Sequence, residues 1–198
     1  MDSKTTSTPV LGRPRSAKAR QAVLTSTLTL LKNQPASEVT IKAIAADAGV
    51  GRQTIYRWWS NRGQIILEAL NNVSQQRIGR EESGTIDENI RRFIAVIIDQ
   101  ARQLRKALSV VMVEAQLEPE FQDEFRTQFI AVRRAALLGQ FESKTKKGNR
   151  LPPVEMTFLA DMVFGPLWYR LLVDHAPLDR KFATLLSEAV LERFHALK

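Results

Sequence analysis

Arg52, Gln53, Tyr56 and Arg57 bring together the side-chain types that read nucleic-acid bases. An arginine fork matches the acceptors on guanine, glutamine pairs with adenine, and tyrosine reaches phosphate or a thymine methyl. Their spacing puts them on the outer face of one short helix. The residues just before them explain how such a helix is held. Ala45 is small enough for a second helix to cross there, and Gly49 supplies a turn. Ile44, Val50 and Ile55 fill the wedge between the two helices, and Trp59 anchors the pair to its neighbours. Two short helices joined by a glycine turn form a helix-turn-helix, whose second helix fits a major groove.

The flanking elements read as helices. Leu24, Leu28 and Leu31 make one apolar face on a helix from about Ser16 to Lys32, stopped at Asn33-Gln34-Pro35. Thr40 is an N-cap for a helix with Ile41, Ile44, Ala45 and Ala48 inward, and Asn61 caps another carrying Ile65, Ile66, Ala69, Leu70 and Val73. Further apolar stripes follow: Ile90, Ile94, Ile97, Ala101 and Leu104; Leu108, Val111, Met112 and Ala115; and Phe121, Phe125, Phe129, Val132 and Ala136. Residues 154–172 are apolar nearly all round except at Gly165-Pro166, and Leu178, Phe182, Leu185, Leu186, Ala189 and Val190 form a last amphipathic helix. No alternating strand pattern appears. The expected fold is all-α, with an N-terminal three-helix helix-turn-helix domain and a C-terminal helical bundle. The expected division is a flexible basic arm at 1–15, the DNA-binding unit at 16–78, and a regulatory and dimerisation unit at 79–198, with the polar GREESG between them. Residues 144–153 (KTKKGNRLPP) read as a solvated basic linker.

The 198 residues are 44% hydrophobic and 25% charged, enough to bury a substantial core. The formal charge is +8, and residues 1–70 hold +6 of it. So uneven a distribution suits a polyanion. With no cysteine, disulfide scaffolds, thiolate metal sites and cysteine nucleophiles are excluded. His175 and His195 are the only histidines, and no HExxH, GxSxG or phosphate-loop pattern is present, so neither catalysis nor a metal or cofactor is expected. The N-terminus lacks an apolar signal region, and no run approaches 18 uncharged apolar residues. A cytoplasmic protein without a membrane partner is the expectation.

Residues 13–70 resemble the DNA-binding domain of the tetracycline-repressor (TetR) family of bacterial regulators, in RQAVLTSTLTLL and TIKAIAADAGVGRQTIYRWWSNRGQIILEAL. Gly49-Val50 followed by Thr54-Ile55-Tyr56-Arg57-Trp58-Trp59 is the most specific part. FGPLWYRLLVDHAPLDRKF is more weakly similar to the C-terminal domain of one branch. The resemblance implies that Thr40 and Lys42 approach DNA, that Arg52, Gln53, Thr54, Tyr56, Arg57 and Trp58 lie on the recognition helix, and that Arg62 meets phosphate. Four positions depart from the family pattern: Ser26-Thr27 replaces an alanine pair, Pro35 a glycine, and Gly63 a better helix former, which implies a looser joint there. Arg13 and Arg15 suit either an adjacent minor groove or a tail adding non-specific affinity.

By the same resemblance the last two helices pack against their copies as a two-fold four-helix interface, for which Phe164, Trp168, Leu171, Phe182, Leu186 and Val190 are the candidates. The expected partners are therefore double-stranded DNA at a palindromic operator, a second copy, and an effector. Phe93, Ile97, Met112, Phe125, Phe129, Phe158 and Met162 are large, soft side chains that suit an adaptable pocket for a largely apolar effector. Asp161 and Tyr169 are its candidate polar anchors. Asp161 also fits a paired surface acid, and Trp168 and Tyr169 also fit core or interface. Two other functions remain open: a DNA-binding regulator or architectural protein without ligand control, and an all-α small-molecule enzyme.

Overall fold

The computed structural model describes residues 13–78, 84–142 and 151–197, and all regular structure among them is helical. Helix α1 spans Arg13–Asn33, α2 Ile41–Asp47, α3 Arg52–Tyr56 and α4 Arg62–Ile78. The remainder comprises α5 Ile86–Gln103, α6 Arg105–Leu117, α7 Pro119–Phe125, α8 Ala131–Glu142, α9 Pro153–Val173 and α10 Arg180–Ala196. The helix starting at Arg13 shortens the expected arm, so Arg13 and Arg15 sit in its first turn. Their side chains, residues 1–12, most of the GREESG break and residues 143–150 lie outside what is described.

Local chemistry sets the helix ends. Thr40 Oγ1 accepts from the Ala43 amide at 3.1 Å, and Asn61 Oδ1 accepts from the Gln64 amide at 2.9 Å. Gly49 takes φ 65°, the left-handed conformation that ends α2 without a Cβ penalty. Thr85 and Glu88 form a reciprocal capping box at the start of α5. The departures in α1 are accommodated: Thr27 is fully buried, and its hydroxyl donates to the Val23 carbonyl at 2.8 Å.

Ile44, Ile55, Ile65 and Ile66 are fully buried and Trp59 nearly so, which closes the N-terminal core as expected. α4 continues from that core into the C-terminal bundle, packing on α1, α6 and α7. Between α7 and α8, Arg126–Ile130 form a π-helical turn. Its extra residue rotates the inward face by one position. Consequently Val132 is exposed, whereas Arg133, Leu137 and Phe141 are buried.

α9 is long and apolar enough to cross a bilayer by length and composition alone. It carries Glu155, Asp161 and Arg170, however, bonded to Arg193, Arg134 and the Pro177 carbonyl. Its inner face packs on α5, α6, α8 and α10. Leu159, Ala160, Val163 and Leu171 point inward, while Val154, Phe158, Tyr169, Leu172 and Val173 are exposed.

Candidate functional site

Two regions stand out: the outer face of α3 and a cavity inside the C-terminal bundle. On α3, buried Ile55 faces the wedge and leaves Arg52, Gln53, Tyr56 and Arg57 exposed. Thr54 and Trp58 are half-buried beside them; Thr40 and Lys42 are exposed at the start of α2. The Arg57 guanidinium lies 5.6 Å from the Trp58 ring, and Trp58 meets Trp59 edge-on at 5.4 Å. Trp59 is fixed from below: its indole N–H donates to Glu68 Oε2 at 2.8 Å, and Arg20 Nη2 donates to the same oxygen at 2.7 Å. A rigid two-tryptophan floor thus supports a basic, hydrogen-bonding face.

Arg62 is placed differently from the phosphate contact expected of it. Its Nε and Nη2 donate to Glu114 Oε1 on α6 at 2.8 and 2.5 Å, and its Nη1 donates to the carbonyls of Ala36 and Val39. The guanidinium is turned inward as a tie between the two halves of the chain. Beside it, Gln64 Nε2 donates to Glu124 Oε1 at 2.8 Å. Gly63 is likewise not a loose joint. A Cβ there would stand 2.5 Å from Glu114 Oε2 and 2.8 Å from Phe121 Cζ, so this glycine permits the closest approach of α4 to α6 and α7.

A partly open cavity of about 50 Å³ lies between α4, α5, α6, the π-helical turn, α8 and α9. Ile97, Phe129, Phe164 and Trp168 line it together with Leu70 of α4. Of the other expected pocket residues, Phe93 and Phe125 are buried in the core without lining it, and Met112 and Met162 are half-buried outside it. Phe158 and Tyr169 are exposed on α9, and Asp161 is an exposed partner of Arg134. None of these three faces the cavity. Its polar wall is instead Gln100 and Arg133, which sequence reasoning missed. Arg133 Nη1 donates to the Phe129 carbonyl at 3.1 Å and to Asn71 Oδ1 of α4 at 3.3 Å. Burial pushes its pKa down to about 10.

The interface residues also need correction. Leu171, Phe182, Leu186 and Val190 are buried within one protomer, and Phe164 and Trp168 face the cavity. An open apolar surface lies on the other side of α9, together with Leu185 of α10; Val113, Leu117 and Val132 are exposed elsewhere.

Comparison with known proteins agrees with this architecture. The family model described as bacterial regulatory proteins, tetR family, matches residues 23–69. The model of the tetracyclin repressor-like C-terminal domain matches residues 80–190. The HTH-type transcriptional regulator YdeS of Bacillus subtilis is 30% identical over 166 residues, 82% of each chain. Among solved structures, the TetR family transcription regulator SCO0332 superposes with a TM-score of 0.69 at 21% identity, covering 89% of this chain and 98% of its own. FadR of Bacillus subtilis, solved in complex with stearoyl-CoA, has a TM-score of 0.66 at 16% identity, with coverage of 86% and 96%.

Proposed function

The chain belongs to the tetracycline-repressor (TetR) family of bacterial transcriptional regulators, and from that premise we propose that it is a homodimeric repressor released from a palindromic operator by a small effector. The observation that carries this reading is the exposed set Arg52, Gln53, Tyr56 and Arg57 on a helix whose opposite side is locked by Ile55 and Trp59. Thr40, Lys42, Thr54 and Trp58 flank that set and complete the DNA-facing surface. Arg52, Gln53 and Arg57 read base edges; Thr40 and Lys42 hold the adjacent backbone.

Two such helices must be presented at the spacing of a duplex repeat, about 34–36 Å or somewhat more. The second copy docks on the exposed apolar side of α9, where the helical period puts Val154, Phe158, Tyr169 and Leu172 on one face, with the exposed Leu185 of α10 as a further apolar contact. A surface of this kind on a soluble regulator is best explained by a partner of the same shape.

The effector enters the cavity behind Phe129 and Trp168. At about 50 Å³ the space is well below the few hundred Å³ of a typical ligand cleft. Ligand therefore wedges the bundle apart, moving Leu70 and α4, and α4 carries the change to α2 and α3 through Arg62. Differential binding of about 1–3 kcal/mol gives a 5–150-fold change in operator affinity. The complex of FadR with stearoyl-CoA, a long acyl chain on a charged carrier, supports an effector with an extended apolar part within this architecture. Titrating purified protein onto a palindrome from beside its own coding region, against random DNA, tests the reading. Equal affinity for both overturns it.

A further inference from the structure

The cavity wall is apolar except at two side chains, and both are donors. Gln100 is 6% exposed, and its Nε2 has no hydrogen-bond partner. Arg133 is 8% exposed, its guanidinium lying 3.2 Å from the Phe129 ring centroid. Burial costs this cation hydration and so pushes its pKa down. A purely apolar ligand would leave the Gln100 amide unanswered and strip more water from Arg133, both unfavourable. A planar carboxylate reverses both effects, because its oxygens accept from a guanidinium fork and from an amide N–H together.

We propose that the effector is a slim monocarboxylate whose carboxylate bonds Arg133 and Gln100 while its apolar body lies against Phe129, Phe164 and Trp168. The inference rests on the effector cavity described above and names its ligand class. It also supplies the coupling. Arg133 Nη1 spans 3.3 Å to Asn71 Oδ1 of α4, a long bond that an incoming carboxylate competes for. Acid binding at Arg133 loosens α4 at the level of the cavity, and α4 is the helix that enters the DNA-binding half.

The test is calorimetric titration of the full chain with octanoate and, separately, octan-1-ol. The proposal expects octanoate to bind at least tenfold more tightly than the alcohol. Ile97→Trp, which fills the cavity, should abolish both. Arg133→Gln should bring the acid down to the alcohol's affinity, and Arg133→Lys should recover part of the preference, which separates lost charge from lost packing. Alcohol binding as tight as acid, with both removed by Ile97→Trp, overturns the carboxylate assignment and leaves the cavity standing. Octanoate binding that survives Ile97→Trp overturns the assignment too, by placing the acid elsewhere. If neither compound binds, the effector-cavity reading falls with it.

Discussion

Arg62 of α4 and Glu114 of α6 share two hydrogen bonds, while the remaining Arg62 nitrogen holds the carbonyls of Ala36 and Val39. Val39 immediately precedes Thr40, the cap of α2. One guanidinium therefore connects the regulatory half to the turn that launches the helix-turn-helix. Both side chains are partly buried, at 28% and 21% exposure, so the pair is neither a free surface bridge nor a fully desolvated one.

Removing either partner should therefore cost stability rather than a phosphate contact. Glu114→Ala is expected to lose about 1–2 kcal/mol, and Arg62→Ala somewhat more, because two backbone carbonyls lose their donor as well. The double variant should cost little beyond Arg62→Ala alone, since both single changes break the same pair. Urea unfolding of the four proteins measures this. Additive losses would contradict a shared tie. An unchanged stability for Arg62→Ala, with a weakened salt dependence of DNA binding, would restore the phosphate role.

Gly63→Ala improves intrinsic helix propensity, yet it should lower stability by about 1–3 kcal/mol. The added methyl would meet Phe121 and Glu114 below ordinary contact distance. A raised melting temperature would show that the joint has slack.

The helix-turn-helix was legible because its determinants are local: a threonine cap, a glycine at positive φ, a small residue at the crossing and an asparagine cap. Two other features were not, for distinct physical reasons. α9 is apolar nearly all round, so spacing alone gives no sign that Leu171 faces inward and Leu172 outward. The π-helical turn shifts the α8 face by one residue, which replaces Val132 with Arg133 in the interior. A helical period carried straight through Phe125 and Phe129 therefore puts a valine where the structure buries a cation.

Residues exposed on one protomer distinguish an α9 interface from the core. Phe158→Asp or Leu172→Asp should give a monomer at micromolar concentration by sedimentation, with little effect on folding. Leu171→Asp, by contrast, should unfold the protein, because that side chain is buried in the core. Dimers persisting in both exposed-face variants would move the interface off α9.

Arg133 is the one titratable side chain lining the cavity, and burial lowers its pKa from the ordinary guanidinium range to about 10. Below pH 10 it is protonated, so carboxylate affinity should be flat from pH 6 to 9 and weaken as pH rises through about 10. The sign for stability is opposite. Above about pH 10, and up to the higher pKa of the unfolded chain, the unfolded state holds the proton and the native state does not, so this group's contribution to stability grows with pH across that window. Calorimetry from pH 6 to 10.5 checks the binding limb. Affinity that falls between pH 6 and 9 would point to another group.

Base reading by α3 is what makes the protein select an operator. Fluorescence anisotropy with the operator palindrome and a scrambled duplex, at one salt concentration, compares the parent protein with Arg52→Ala and Arg57→Ala. Each substitution should cost about 1–3 kcal/mol on the operator and distinctly less on the scrambled DNA, collapsing the specificity ratio. Equal losses on the two duplexes would reduce both arginines to phosphate contacts and contradict the assignment of α3 as the recognition helix.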